Sequence, residues 1–382
     1  MALKNIPDHI SRLKAYVPGK PIDQVKREFN LSDVIKLASN ENPLGASPFA
    51  VEALRSAANN IMTYPEGDAP ALRTAVAHHV NVPEQNIVFG NGSDELLHIL
   101  ASSFLEPGDG TVQADPSFAM YELYAQQCNA EVVKIPLLAY THDLSKMADA
   151  ITEKTRLVFI ANPNNPTGTS VASSDIENYM SRVPDHVITV FDQAYDEYVD
   201  PQCACDTIKY VNEGKNVVVL KTFSKAYGLA GLRVGYAITT REIADVMNRV
   251  RSPFNVNIAA QAAATAAIQD QSHIRHSVNL NNAGKTYLYT EFSVLGLDYV
   301  PTQANFVLVN VQSDSLGVFL DMQRLGVIVR AGSGLGLPKH IRVTIGTREQ
   351  NERFIAALSQ VLTSKRPELD NQTTGAEELV SQ

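Results

Sequence analysis

Lys225 is the residue of this sequence whose type and surroundings best suit amine chemistry. The β-branched run before it, residues 217–220, is typical of a buried strand. A lysine just beyond such a strand is placed for desolvation, which lowers the pKa of an amine. A neutral amine can form a Schiff base with a carbonyl group. Taken alone, however, a lysine in a glycine-rich loop is more often a surface residue, so other residues must support this chemistry.

Side chains that can bind an anion lie close to this lysine in the sequence. Thr222 and Ser224 precede it, and Arg233 follows among three glycines. Hydroxyl groups and a guanidinium group can together hold a phosphate. Pyridoxal phosphate (PLP) is a cofactor that presents a carbonyl and a phosphate together. The stretch therefore predicts a PLP site.

Composition excludes several classes of protein. The 382 residues are 45% hydrophobic and carry a net charge of −9. An acidic chain without a basic block predicts no nucleic-acid partner. No stretch approaches the roughly 18 apolar residues of a membrane span, and the absence of an apolar signal region predicts a cytoplasmic protein. Three scattered cysteines predict neither a disulfide framework nor a metal site.

Short apolar runs alternate with helical stretches between about residue 86 and residue 240. This alternation predicts an α/β fold whose large domain has a mostly parallel mixed sheet flanked by helices. Three more strands after residue 292 predict a smaller α+β C-terminal domain. We expect four regions: an N-terminal arm (1–40), a large PLP-binding domain (41–280), a small domain (281–364) and a flexible polar tail (365–382).

Ligands of such sheets bind beyond the carboxyl ends of the strands. Asp192 follows the run 187–191, where it could keep the pyridine nitrogen of PLP protonated. A simple turn aspartate is the alternative. Tyr195 and Asn165 also follow strands, and both could donate hydrogen bonds to the phenolic oxygen of PLP. For Asn165 the alternative is an ordinary Asn-Pro turn.

The cofactor phosphate is expected at a helix N-terminus that follows the strand 87–89. Backbone N–H groups of Ser93, Asp94 and Glu95 would bind it, with Ser93 as the N-cap. The two carboxylates are awkward beside a phosphate, so we expect their side chains to turn away. Phe118 also follows a strand, and its ring could equally stack on the pyridine or pack in the core.

A dinucleotide site is the competing interpretation of Gly90-Asn91-Gly92, which follows a strand and opens a helix. The third glycine of that fingerprint is Glu95 here, and its side chain would crowd the contact between helix and strand. We therefore reject a dinucleotide site.

Two sets of motifs indicate which group of proteins the chain resembles. NPNNPTG (162–168), DQAY (192–195) and TFSKAYGLAGLRVGY (222–236) resemble the fold type I PLP-dependent aminotransferases. Within that group, LASNENPLG (37–45), YPEG (64–67), GNGSDELL (90–97) and VIVRAGSGLGLPKHIRVTIGTREQN (327–351) resemble the histidinol-phosphate aminotransferases. The resemblance covers nearly the whole chain.

This resemblance implies roles for single residues. Lys225 would be the Schiff-base lysine and proton shuttle, and Asp192 and Tyr195 would complete the catalytic set. Tyr64 would reach the cofactor phosphate of the neighbouring subunit, which implies a homodimer. The residues that would bind substrate are Tyr16, Asn42, Asn165, Arg330 and Arg342.

The implied reaction transfers an amino group from histidinol phosphate to 2-oxoglutarate. Both substrates are small molecules, the donor carrying a phosphate or carboxylate. An aromatic amino-acid aminotransferase is the first alternative, and a PLP-dependent lyase or decarboxylase on the same fold is the second. A PLP-binding regulator is a third, but no basic helix-turn-helix segment fits in the N-terminal arm.

Overall fold

The computed structural model describes residues 5–14 and 19–377, which fold as two compact units. The first unit contains residues 5–14, Glu41–Asn279 and Thr302–Asn305, and the second contains residues 19–40, Leu280–Pro301 and 306–377. This division differs from the predicted regions because most of the expected arm belongs to the second unit. The mobility of residues 365–382 remains a prediction.

The helices and strands are numbered in chain order. The helices are α1 (Asp8–Ser11), α2 (Ile22–Phe29), α3 (Pro48–Ala57), α4 (Pro70–Val80), α5 (Gly92–Phe104), α6 (Met120–Gln127), α7 (Leu144–Asp149), α8 (Ser173–Met180), α9 (Ile208–Asn212), α10 (Arg241–Val250), α11 (Ile258–Gln269), α12 (Gln271–Leu295), α13 (Ser315–Arg324) and α14 (Arg348–Glu377). Short 3₁₀ turns occur at Ala58–Asn60, Glu84–Asn86, Asp196–Tyr198, Ala230–Leu232 and Gly332–Leu335. The strands are β1 (Ile35–Lys36), β2 (Ile87–Gly90), β3 (Gly110–Asp115), β4 (Glu131–Pro136), β5 (Thr155–Ala161), β6 (Ile188–Asp192), β7 (Val217–Thr222), β8 (Gly235–Thr239), β9 (Tyr299–Val300), β10 (Phe306–Asn310), β11 (Val327–Ile328), β12 (Arg330–Ala331) and β13 (His340–Thr344).

The first unit is built on a seven-stranded sheet with the order β2-β8-β7-β6-β5-β3-β4. The strands from β4 to β7 pair in parallel, whereas β8 is antiparallel to both of its neighbours. At one end of β8, Gly235 pairs with Gly90 of β2. The predicted mostly parallel mixed sheet is therefore confirmed.

Both faces of this sheet are covered. Side chains alternate along β7, so Val217 and Val219 pack in one hydrophobic cluster while Val218 and Leu220 pack in another. All four are fully buried. Burial on both faces explains why these strands read as continuous apolar runs instead of an alternating pattern.

The second unit contains an antiparallel sheet with the order β12-β13-β10-β9, and β1 pairs in parallel with β11. Leu288 and Phe292 of α12, Met322 of α13 and Phe354 of α14 pack in the core of this unit. The predicted smaller α+β arrangement is confirmed. No described helix has the length and apolar character needed to cross a membrane.

One helix start was predicted wrongly. Helix α5 begins at Gly92 with Asn91 as its N-cap, so Ser93 lies inside the first turn. The Glu95 side chain explains the shift, because Oε2 accepts a hydrogen bond from the Asn91 amide (2.6 Å). At the other end of the chain, α14 continues to Glu377 and so includes the first part of the predicted tail (365–382).

Candidate active site

Three neighbouring parallel strands carry the residues expected to do chemistry. Strand β5 leads to Asn165, β6 ends at Asp192 and leads to Tyr195, and β7 leads to Lys225. The register places Ala161 opposite Asp192 and Asp192 opposite Leu220, so the three strands end at one edge of the sheet. This is the edge where ligands of such sheets bind.

Tyr195 lies between the other two side chains. The Nζ atom of Lys225 is 5.6 Å from the centroid of the Tyr195 ring. The Asn165 Nδ2 group donates a hydrogen bond to the Tyr195 hydroxyl oxygen (3.3 Å). The two proposed donors to the phenolic oxygen of a cofactor are therefore adjacent to each other, and the ring of one of them lies near the lysine.

The carboxylate of Asp192 is buried, with 7% of the residue exposed. Burial raises its pKa, while hydrogen bonds from the Tyr121 hydroxyl (2.8 Å) and the Ala194 amide (3.2 Å) and the charge of Lys225 lower it. Because burial outweighs these contacts, a cation beside Asp192 would stabilise its charged form. A protonated pyridine nitrogen is such a cation.

Tyr121 supports this carboxylate and was not found from the sequence. Its ring is fully buried and stacks on Phe159 at a centroid distance of 4.8 Å. Phe118 meets it edge-on at 5.6 Å and also packs against the core. The stacking of Phe118 on a cofactor therefore remains a prediction. From the sequence alone, a tyrosine in a helix predicts only that its ring packs in the core, so the hydrogen bond to Asp192 could not be predicted.

Donors suited to a phosphate converge at the start of α5. Arg233 Nη1 lies 3.4 Å from Ser224 Oγ, and Nη2 lies 3.5 Å from the carbonyl oxygen of Asn91. Thr222 Oγ1 accepts from the Ser224 amide (3.1 Å). A Cβ atom on Gly92 would lie 2.7 Å from Arg233 Nη2, and the φ of +77° also favours glycine there. Glycine thus lets the guanidinium approach the helix start.

The two acidic residues of this first turn have other partners. Asp94 Oδ2 accepts a hydrogen bond from the Tyr124 hydroxyl (3.0 Å). Glu95 Oε2 accepts from the amides of Asn91 (2.6 Å) and of the Asn255 side chain (2.5 Å). Both carboxylates are therefore held by protein donors, as expected if the side chains turn away from a phosphate.

Asn164 joins the loops around the site and was also missed. Its Oδ1 accepts from Ser117 Oγ (2.8 Å) and lies 3.1 Å from His142 Nε2, and its Nδ2 donates to Pro116 O (3.2 Å) and Thr167 Oγ1 (2.9 Å). Burial lowers the pKa of His142 to about 4, so its imidazole is neutral near pH 7. This network fixes the loop that carries the neighbouring Asn165.

Lys221 and Asp196 form an ion pair near the carboxyl ends of β6 and β7. Lys221 is in β7 and Asp196 follows Tyr195, so the pair ties the Tyr195 segment to the strand that precedes Lys225. Only 10% of the Lys221 side chain is exposed. No sequence pattern connects these two residues, which lie 25 positions apart.

The predicted substrate residues divide between the units. Arg342 and Arg330 lie in the second unit, opposite each other in the β12–β13 ladder. Directly opposite residues of an antiparallel pair project on the same face. Arg342 Nη2 donates to Ala38 O (2.8 Å), and its guanidinium lies 5.2 Å from the Phe306 ring. Tyr16 lies outside the described residues.

Asn42 and Tyr64 lie in the first unit. The Asn42 amide donates to Ala226 O (2.8 Å) and to Ser277 Oγ (2.8 Å), and its contact with substrate stays a prediction. Tyr64 is 80% exposed and stacks on Phe254 at 4.7 Å.

The donor set of the first unit fits PLP. An amine, a buried carboxylate, two donors for a phenolic oxygen and a guanidinium at a helix N-terminus match the groups of that cofactor. Within residues 5–14 and 19–377, no cluster of three or more His, Cys, Asp or Glu side chains could hold a metal ion.

Comparison with known proteins agrees with this chemistry. Residues 32–358 match the family model for aminotransferases of class I and II. The histidinol-phosphate aminotransferase of Moorella thermoacetica is 51% identical over 92% of this chain and 92% of its own length. That of Caldicellulosiruptor saccharolyticus is 45% identical over 92% of this chain and 99% of its own.

A solved structure is similar as well. The crystal structure of histidinol-phosphate aminotransferase from Sinorhizobium meliloti, in complex with pyridoxal-5'-phosphate, superposes with a TM-score of 0.88. It is 25% identical, and the match covers 95% of this chain and 99% of that one. The sequence, the fold and the donor set agree: this chain belongs to the class I and II aminotransferases, and within them to the histidinol-phosphate aminotransferases.

Proposed function

We propose that this protein is a PLP-dependent transaminase that moves the amino group of histidinol phosphate to 2-oxoglutarate. The products are imidazole-acetol phosphate and glutamate, and the reaction belongs to histidine biosynthesis. The observation that carries the proposal is the placement of Lys225 and Asp192 at adjacent strand ends in a chain of this family. The aromatic aminotransferase and lyase alternatives are not favoured, because the relatives described above are histidinol-phosphate aminotransferases.

PLP, when bound, serves as an electron sink for the substrate carbon that loses its proton. Asp192 would hold the pyridine nitrogen in its charged form, and Tyr195 and Asn165 would donate to the phenolic oxygen. Arg233, Ser224 and the first amides of α5 would bind the phosphate, with Thr222 orienting the Ser224 amide.

Lys225 has two tasks in this proposal. Its Nζ atom would hold the cofactor covalently through a Schiff base. With substrate bound, the neutral Lys225 amine would take up the proton from the substrate carbon as a general base and give a proton back as a general acid. The Tyr195 ring lies beside Nζ and limits the directions the amine can take.

Arg342 and Arg330 are proposed as the anion clamp. Two guanidinium groups on the same face of a strand pair attract a bound anion, and the planar fork suits both phosphate and carboxylate. A single clamp must accept both substrates, since donor and acceptor bind in turn.

Arg342→Ala tests the clamp. We expect the KM values of histidinol phosphate and 2-oxoglutarate to rise together, by about 10- to 100-fold, because a charge-assisted hydrogen bond is lost. Steady-state kinetics with each substrate varied would measure this. Arg348→Ala is the matched control, since Arg348 of the same unit is exposed and pairs with Glu352 (2.6 Å). A rise for only one substrate would mean that the clamp is not shared.

We propose a homodimer as the active unit. The large apolar or aromatic side chains that are exposed in the first unit include Phe49 (67%), Ile61 (71%), Met62 (86%), Tyr64 (80%) and Phe254 (48%). Exposed apolar surface of this kind is typical of an interface. In the dimer, Tyr64 of each subunit would contact the cofactor phosphate of the other. A cytoplasmic location is likewise proposed.

Met62→Asp tests the dimer. We expect its dissociation constant to rise at least about tenfold, because the interface would bury an unpaired charge. Sedimentation equilibrium would measure the change. Val294→Asp is the control, because Val294 of the second unit is 76% exposed and also apolar. Equal behaviour of the two variants would exclude this surface as the interface.

A spectroscopic half-reaction tests the function itself. The purified, PLP-loaded protein is mixed separately with histidinol phosphate, glutamate and phenylalanine while its visible absorption band is followed. We expect histidinol phosphate and glutamate to remove the band and phenylalanine to act much more slowly. Fast reaction with phenylalanine and none with histidinol phosphate would identify an aromatic aminotransferase instead.

A further inference from the structure

The side chain of Asn42 forms three hydrogen bonds with other groups of the protein. Nδ2 donates to the backbone oxygen of Ala226 (2.8 Å) and to Ser277 Oγ (2.8 Å). Oδ1 accepts from the Leu44 amide (3.0 Å). Asn42 is 8% exposed and Ser277 is 2% exposed, so these bonds form away from solvent. Both amide hydrogens are therefore already used.

The accepting carbonyl belongs to the turn that carries Lys225. Ala226 is the next residue, and the Gly228 amide closes the turn by donating to the Lys225 carbonyl (2.9 Å). The Ala226 carbonyl lies between these two ends and points to Asn42. The hydrogen bond from Asn42 thus fixes the peptide between Ala226 and Tyr227, one residue beyond the lysine.

The loop that carries Asn42 is itself held against this turn. Gly228 has a φ of +69°, and a Cβ atom there would collide with the backbone of Gly45. The Gly45 carbonyl oxygen lies 3.1 Å from His273 Nε2, and Ser47 Oγ donates to Asp270 Oδ2 (2.6 Å). On the C-terminal side of Asn42, the loop is therefore fixed between the lysine turn and the residues around the start of α12.

Ser277 completes the connection. Its hydroxyl oxygen accepts a hydrogen bond from Asn42, and its O–H group donates a hydrogen bond to the His273 carbonyl oxygen (2.9 Å). A chain of hydrogen bonds thus runs from the first turns of α12 through Ser277 and Asn42 to the carbonyl of Ala226, the residue after Lys225. Each donor and acceptor in this chain is matched, which is the condition for a buried polar network to be rigid.

We infer that Asn42 is a positioning residue for Lys225, in place of the substrate contact predicted from the sequence. The inference rests on the proposed function, since it assigns a reactive role to the lysine. By fixing the Ala226 peptide, Asn42 sets the direction in which the Lys225 side chain leaves the turn. If the Lys225 amine pointed in another direction, it would transfer the proton more slowly even with substrate fully bound.

The test compares variants of the PLP-loaded enzyme. Asn42→Ala removes all three hydrogen bonds, whereas Asn42→Ser retains an acceptor for the Leu44 amide and loses the reach to Ala226. Ser277→Ala removes only the second acceptor. Asn351→Ala is the matched control, because Asn351 is a fully buried asparagine of the second unit whose amide also bonds backbone, at Gly346 (2.9 and 3.0 Å).

Two measurements are made on each variant. The first is the pH titration of the visible band without substrate, which reports the surroundings of the Lys225 nitrogen. We expect the Asn42 variants to shift its midpoint by about one pH unit, the equivalent of one hydrogen bond. The second is steady-state kinetics, in which we expect kcat to fall about tenfold while KM stays within about twofold. Ser277→Ala should shift less, and Asn351→Ala not at all.

Other outcomes overturn the inference. A raised KM with an unchanged titration midpoint would indicate that Asn42 contacts substrate. Wild-type behaviour in both measurements would indicate that Asn42 only stabilises its own loop. Should Asn42→Ala fail to fold, Asn42→Ser and Ser277→Ala decide the question by the same measurements. Failure of the proposed function is distinct, because the wild-type protein would then lack the visible band or the turnover.

Discussion

Replacing Lys225 by alanine is expected to abolish transamination, with turnover lower by about 10⁴-fold or more, because one side chain supplies both covalent attachment and proton transfer. The fold should survive, since Lys225 follows the end of β7 and contributes nothing to the hydrophobic clusters of the first unit. Turnover, the visible spectrum and the melting temperature of the variant would be measured together. The visible band of the lysine-bound cofactor should be absent.

A surface lysine provides the control for this experiment. Lys209 is half-buried, with 37% of its side chain exposed, and pairs with Glu177 (2.8 Å), so Lys209→Ala should retain both the band and the activity. Near-wild-type transamination by Lys225→Ala would disprove the assignment of the reactive lysine. Loss of activity together with loss of the fold would call for Lys225→Arg, which retains a long cationic side chain but cannot form the attachment at neutral pH.

Asp192→Asn is expected to have the second largest effect, a fall in kcat/KM on the order of 10³-fold. The fall is comparable to removing a strong electrostatic contact from a buried reaction centre. Asparagine can still accept from Tyr121, but it carries no charge to keep the pyridine nitrogen protonated. Kinetics and the affinity for PLP would both be measured, and both should decline.

Tyr121→Phe is the matched variant for Asp192. It keeps the carboxylate and removes one hydrogen bond to it, so we expect activity to fall by no more than about tenfold. The pKa of Asp192 should rise in this variant, because the Tyr121 bond now lowers it. An equal loss in both variants would mean that the hydrogen bond, and not the charge, is what the site requires.

The sequence predicted the strands of the first unit because both faces of the sheet are buried. Their apolar runs are continuous, and the residues at their ends could be placed from the general rule for parallel sheets. The predicted run 217–220 lies within β7, and Asp192 is the last residue of β6. The edge of the sheet that holds the site was therefore predictable before any contact was known.

Contacts between distant segments could not be predicted in this way. The bond from Asn42 to Ala226 spans 184 residues, and that from Tyr121 to Asp192 spans 71. Neither leaves a periodic pattern, since each depends on where two loops meet. The wrong N-cap has a local cause, because serine is a favoured cap but Glu95 satisfies the amide one turn earlier. Strand β1 was missed because it has only two residues.

The pairing of Gly90 with Gly235 has a consequence for synthesis on the ribosome. The end of β2, which leads into the phosphate-binding turn of α5, is completed by a strand that lies 145 positions later in the chain. Until β8 has been translated, Arg233 and the start of α5 cannot meet. A nascent chain that stops short of residue 239 should therefore bind the cofactor poorly, and loading with PLP must come after most of the first unit has left the exit tunnel.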